Sequence, residues 1–201
     1  AVNSPLSATV KGRTATNIVA NGNFANGTTG WSGMSATLSV SSNTLIVTAD
    51  GSAPYGQAYQ NTSYGIKPSN NIYTRLLVRV TNPNCVSITI VYDCLPIGTD
   101  KTVYRILNPA QNSWYLVNIK DTPPSDSSGN FRITITHGYP DAATAKDKVM
   151  EVQEVLAIDM GTDSSNPLYN LTADQMNAMF PAWFDGTKST SGGLVRRVGK
   201  N

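Results

Sequence analysis

The chain of 201 residues is poor in the side chains that usually carry chemistry: one histidine, two cysteines and two glutamates. A nucleophilic triad would have to use His137 as its base, and no Gly-x-Ser-x-Gly elbow supplies the nucleophile. His137 shares strand parity with Phe131, Ile133 and Ile135, and is expected at a strand rim, bonded to a loop. Glu151 and Glu154, three apart on a strand, are expected on opposite faces. Alone they cannot make the paired carboxylates of a glycosidase. The eleven aspartates leave a pair from distant loops open. Cys85 and Cys94 flank "VSITIVYD"; an extended strand holds them ~30 Å apart. A disulfide reaches only about 7 Å between Cα atoms, so two thiols are expected. Phosphate-loop, His-Glu-x-x-His and EF-hand patterns are missing too. The expectation is a protein without catalysis.

Charge is scarce as well. Charged residues make up 14%, against roughly 25% in ordinary soluble domains. A net charge of +2 gives no broad field for nucleic acid or an anionic membrane. Arg196, Arg197 and Lys200 form the one local basic cluster, expected to be a solvated tail. No apolar run approaches the roughly 20 residues of a membrane span. The chain opens on Ala1 and is expected to be a processed product or a piece of a longer polypeptide. Asn26, Asn61 and Asn170 start Asn-x-Ser/Thr sequons, which matter only in a secretory pathway.

What is present is period-2 alternation. It runs through "ATLSVS" (36–41), "NTLIVTA" (43–49), "PYGQAYQ" (54–60), "NIYTRLLVRV" (71–80) and "CVSITIVYD" (85–93). It continues in "TVYRIL" (102–107), "SWYLVNI" (113–119), "NFRITITH" (130–137) and "KVMEVQEVLAID" (148–159). Each run is bounded by Gly, Pro, Asn or Asp. About nine strands with one polar face each predict an all-β, antiparallel two-sheet β-sandwich of jelly-roll type over 15–160. Residues 1–14 are expected to be a linker or a strand from a preceding domain. Within 161–186 one short helix is expected. Thr172 is its N-cap, Gln175 completes a capping box, and Met176, Met179 and Phe180 form its apolar stripe. Residues 187–201 are expected to link to a following domain.

A neutral polar surface with tyrosines suits sugar, because aromatic rings stack on pyranose faces and amides bind hydroxyls. Tyr55, Gln57 and Tyr59 share one face of a strand. They are either a ligand platform or cross-strand packing residues. Tyr73 and Arg75, with Arg79, make a second stripe expected to point away from the core.

Two segments carry a resemblance. "NIVANGNFANGTTGW" resembles the opening of jelly-roll carbohydrate-binding modules, and "KVMEVQEVLAID" resembles their last strand. In addition, "SPLSATVKGRTATN", "YGQAYQN", "LTADQMNAMFPAWFDGTKST" and "VRRVGKN" together resemble tail proteins of bacteriophages that infect Gram-positive bacteria. The likeness spans nearly the whole chain. It implies a structural or adhesion module of the tail in an extracellular virion, homo-oligomeric in its parent assembly. It implies host cell-surface polysaccharide or teichoic acid, and other tail proteins, as partners. The alternatives are a purely architectural spacer or a module accessory to a glycan hydrolase. Related modules often hold a structural Ca²⁺ between first and last strands. By position Asn21, Asn23 and Asp159 would ligate it here. Ala25 stands where an acidic residue is expected, so a metal-free corner is the default and no cofactor is required. Phe24 and Trp31 are expected to plug the core rather than display a ligand platform.

Overall fold

The alternation becomes two five-stranded antiparallel sheets packed face to face. The computed structural model describes residues 13–67, 69–97, 100–124 and 128–189. In chain order the strands are β1 (Thr14–Thr16), β2 (Ser32–Met34), β3 (Ala36–Ser41), β4 (Thr44–Ala49), β5 (Tyr55–Ile66), β6 (Ile72–Val80) and β7 (Ser87–Ile97). Then come β8 (Lys101–Leu107), β9 (Tyr115–Asp121), β10 (Ser128–Gly138), β11 (Val149–Asp159) and β12 (Thr187–Ser189). One sheet has the order β2-β5-β10-β7-β8 and the other β3-β4-β11-β6-β9. The expected helix is present as α2 (Ala173–Met179), with both halves of its Thr172–Gln175 capping box formed. A four-residue helix, α1 (Ala142–Ala145), was not anticipated. The segment 1–12, the basic cluster at 196–200 and the "VRRVGKN" motif lie outside the described residues.

The core follows the parity of the strands. β6 sends Ile72, Leu76, Val78 and Val80 inward, β7 sends Ile88, Ile90 and Tyr92, and β10 sends Phe131, Ile133 and Ile135, all at most 1% exposed. Each such side chain contributes about 1.5–3 kcal/mol by leaving water. Tyr92 donates its hydroxyl to Thr74 Oγ1 at 2.6 Å, a polar link between the sheets. Cys85 and Cys94 are buried thiols that form no disulfide among the described residues.

The opening loop is fixed from several directions. Phe24 sits at φ 56°, a region that bulky residues rarely enter. It is held there by burial and by Trp31, whose ring centroid is 5.5 Å away. Both aromatics are buried, at 1% and 6% exposure. Gln60 of β5 bonds both the N–H and the carbonyl of Ala20 at 2.8 Å, which ties this loop to β5. Gly22 approaches β11 so closely that an added Cβ would lie 2.0 Å from the Val155 carbonyl oxygen. The stretch is thus a corner of the fold, and Phe24 and Trp31 are its plugs.

The expectation for the two glutamates is corrected by a single irregularity. The pairing of β11 with β6 slips between Gln153 and Leu156, and Glu154 adopts φ 53°. This bulge inverts the parity of the strand. Met150 and Val152 face the core before it, Val155 and Ala157 after it. Glu151 and Glu154 therefore share the outer face instead of pointing apart, as their partners on β6 show: Arg79 bonds Glu151 and Arg75 bonds Glu154, each at 2.7 Å.

The other outward residues of β11 enter a second apolar cluster. Leu156 and Ile158 join Tyr73, Met160, Leu168, Leu171, Met176, Phe180 and Phe184 beneath α2 and its flanking segment. Asn17 anchors that segment: it donates to the Phe184 carbonyl at 2.9 Å and accepts from Ala157 N–H at 3.2 Å. β1 and β12 pair, Thr14 opposite Ser189.

Candidate functional site

The tyrosines of β5 stand on the outer face of the β2-β5-β10-β7-β8 sheet. Strand parity puts Tyr55, Gln57 and Tyr59 outward while Ala58 and Gln60 turn in. The edge strand β2 sets Met34 opposite Gln57 and Ser32 opposite Tyr59. On the other side β10 sets Thr134 opposite Tyr59 and Gly138 opposite Tyr55. Glycine leaves the neighbouring lattice position of Tyr55 without a side chain.

Met34, Tyr55, Gln57, Tyr59 and Thr134 line a cleft of about 180 Å³ together with Val91, Asp100 and Arg132. Arg132 organises it. Its guanidinium lies 5.0 Å from the Tyr59 ring centroid. Its Nε donates to Asn61 Oδ1 at 2.8 Å, and its Nη1 is 3.4 Å from Asp93 Oδ2. A planar cation stacked on a ring and held by two partners pre-orients that ring at little further entropic cost. The cleft thus offers ring faces, one carboxamide, a hydroxyl and a charge-compensated guanidinium. That set can stack on and hydrogen-bond a polyhydroxylated ligand. Arg132 was not anticipated as a site residue. Its outward parity between Phe131 and Ile133 was readable, but its partners come from strands far apart in sequence.

The second expected stripe is not an open platform. Tyr73 is fully buried and Arg75 is 8% exposed. Both point outward from β6 as expected, but α2 and its flanks cover them. Arg75 Nε donates to Asn177 Oδ1 of α2 at 3.0 Å, and Nη1 pairs with Glu154. Burial pushes the Tyr73 hydroxyl far above the ordinary phenol range. These two residues hold the C-terminal segment down.

His137 is likewise corrected. It is fully buried, not at a rim, while the expected bond to a loop is present, its Nδ1 lying 3.2 Å from the Tyr139 hydroxyl. Burial depresses its pKa to about 3, so the ring is neutral and shielded from any substrate. Gly56 makes room for it: a Cβ there would sit 2.5 Å from Nε2.

The residues expected to hold Ca²⁺ do not converge. The Asn21 amide donates to the carbonyls of Gly27 and Thr29, and its Oδ1 accepts from Asn26 N–H. Asn23 Oδ1 accepts from Ala25 N–H. Asp159 spends both oxygens elsewhere, on Asn70 and Tyr64 through Oδ2 and on Gly161 N–H through Oδ1. Gly22 between the two asparagines bonds Val155 N–H, four residues and ~13 Å of strand from Asp159. Calcium needs six to eight oxygens around one point; these three residues do not fit it.

No protein-family model and no curated protein sequence matches this chain. Solved structures do. An arabinose-bound α-L-arabinofuranosidase aligns with a TM-score of 0.58 at 13% identity, over 86% of this chain and 33% of that one; this chain thus spans about a third of that enzyme. A family 4 carbohydrate-binding module aligns with a TM-score of 0.51 at 13% identity, over 68% of this chain and 99% of the module. The C-terminal family 22 carbohydrate-binding module of Clostridium thermocellum Xyn10B aligns with a TM-score of 0.51 at 14% identity, over 72% and 99%. The sandwich is that of carbohydrate-binding modules. At such identities the likeness is one of fold, and the ligand must be argued from the cleft.

Proposed function

We propose that this chain is a non-catalytic glycan-binding module, and that its ligand lies across the Tyr55–Gln57–Tyr59 stripe. The observation that carries this reading is the stacked and pinned Tyr59–Arg132 pair beside an uncovered Tyr55. The cleft that both tyrosines line supports a ligand role for them beyond strand packing. The sequence likeness to phage tail proteins supports a place in the virion, outside the host cell, where the ligand would be host cell-wall glycan. Repetition of the module in a homo-oligomeric tail would turn weak single-site binding into firm adhesion.

Arg132 is already bonded to Asn61 and placed near Asp93, and Asp100 adds negative charge to the lining. That balance favours a neutral wall polysaccharide over the anionic backbone of teichoic acid. Titration of soluble host wall polysaccharide against labelled protein tests this. Tyr59→Ala should weaken binding about tenfold or more with little change in unfolding midpoint. A Tyr59→Ala protein that binds as wild type sinks the assignment. Wild-type protein that binds no wall fragment would leave the module an architectural spacer.

A further inference from the structure

The bulge in β11 does more than invert parity. It places two consecutive side chains, Gln153 and Glu154, on the wall of one cavity of about 240 Å³, together with Asn23, Ser42 and Asn43. A regular strand would send one of the two to the opposite face. Each contributing segment is held in an uncommon conformation. Glu154 has φ 53°, and Ser42 and Asn43 turn β3 into β4 at φ 49° and 58°. The turn is of the kind that suits a two-residue hairpin. Glutamate has no such excuse in mid-strand. Its carboxylate is paired with Arg75, whose Nε is in turn bonded to Asn177 of α2.

We propose that this cavity is a second binding site, for a single neutral polyhydroxylated ring such as a terminal sugar residue. Three carboxamides, one hydroxyl and one carboxylate line it. Carboxamides both donate and accept, and a carboxylate accepts, which matches adjacent hydroxyls that must do both. Gln153 already donates through Nε2 to Thr44 Oγ1 at 2.7 Å, which sets its carbonyl oxygen as an acceptor. Arg75 compensates Glu154, so the lining selects neither an anion nor a divalent cation. No aromatic lines the cavity, and its volume is below the roughly 300 Å³ at which ordinary ligand pockets begin. One ring fits, whereas an extended chain belongs on the tyrosine face. The two sites lie on different sheets, and this proposal does not depend on the other.

The test uses the whole chain with isotope-labelled side-chain amides. Methyl glycosides of glucose, galactose and N-acetylglucosamine are titrated, and the amides of Asn23, Asn43 and Gln153 are followed by NMR. At least one glycoside should shift all three saturably in the millimolar range. Gln153→Ala should weaken that binding about tenfold, the loss of one or two hydrogen bonds. Asn43→Gly, which keeps the turn conformation, should weaken it as well, and Tyr59→Ala should leave it within about twofold. The proposal is overturned if no glycoside moves these amides up to about 50 mM, a concentration that would reveal even very weak binding. It is overturned equally if calcium chloride moves them and no glycoside does, or if binding survives both Gln153→Ala and Asn43→Gly unchanged.

Discussion

The two outer faces of the sandwich carry the same kind of residue with opposite fates. On the β5 face, Tyr55 and Tyr59 alternate with core residues and border a cleft. On the β6 face, Tyr73 alternates with core residues in the same way and is fully buried. Alternation says which side chains leave the core between the sheets. It does not say whether another part of the chain then covers them. The difference comes from residues 160–184, which lay Met160, Leu168, Met176, Phe180 and Phe184 over Tyr73, Leu156 and Ile158. One face is thereby covered and the other left open.

Removing the cover should give the largest effect. Phe180 is fully buried against Phe184, ring centroids 5.5 Å apart. Phe180→Ala should cost about 3–5 kcal/mol, the usual range for a large aromatic lost from a core. Urea unfolding measures this, with binding of wall polysaccharide by the remaining folded protein as the control. If the midpoint barely moves, the C-terminal segment is not an integral layer of the fold.

Trp31 makes the complementary case on the open side. Trp31→Ala should cost somewhat less, about 2–4 kcal/mol, because Trp31 Nε1 is buried without a partner among the described residues and its loss removes that penalty. Glycan affinity should change by less than about threefold. A Trp31→Ala protein as stable as wild type but unable to bind would move the ligand from the tyrosine stripe to the opening loop.

The period-2 pattern, the helix cap at Thr172 and the two aromatic plugs were all legible in the sequence, because each is local chemistry. The bulge was not. Glu154 is an ordinary residue in "MEVQEVLAID", and nothing in its type announces a positive φ. That single slip moved Glu154 onto the face of Glu151 and turned Leu156 and Ile158 outward, beneath the segment that covers Tyr73. The helix was legible but its docking site was not, since an apolar stripe states that something must be covered without naming what. Arg132 escaped notice for the same reason: its partners Asn61 and Asp93 are close only through β5 and β7. Asn21, Asn23 and Asp159 were grouped by position along a motif, and position does not fix which way their oxygens point.

A smaller effect separates the interiors beneath the two faces. His137 of β10 lies under the open face, neutral, with a pKa near 3 in place of 6.5. Its folded value is depressed, so the unfolded chain binds the extra proton first, and stability falls as pH drops below about 6.5. The slope approaches 1.4 kcal/mol per pH unit, or about 2 kcal/mol between pH 6.5 and 5. Asp50, Asp141 and Asp163 have lowered pKa values, so their contributions fade only below about pH 4. Urea midpoints at pH 7, 6 and 5 should follow the histidine window. The His137 ring resonances should stay flat above pH 4; a titration near pH 6.5 would show the ring to be solvated.

The smallest predicted change discriminates the two faces most directly. Tyr73 carries a hydroxyl that is buried with no hydrogen-bond partner among the described residues. Leaving water unpartnered costs that group about 1–3 kcal/mol, and the ring supplies the packing that offsets it. Tyr73→Phe keeps the ring and deletes the orphaned oxygen. It should leave stability unchanged or raise it by up to about 1 kcal/mol, since part of the penalty is already relieved by relaxation around the site. Glycan binding should be untouched, because nothing outside can reach the position. A Tyr73→Phe protein with weakened binding would mean that the C-terminal segment lifts in solution, turning the covered stripe into a second platform.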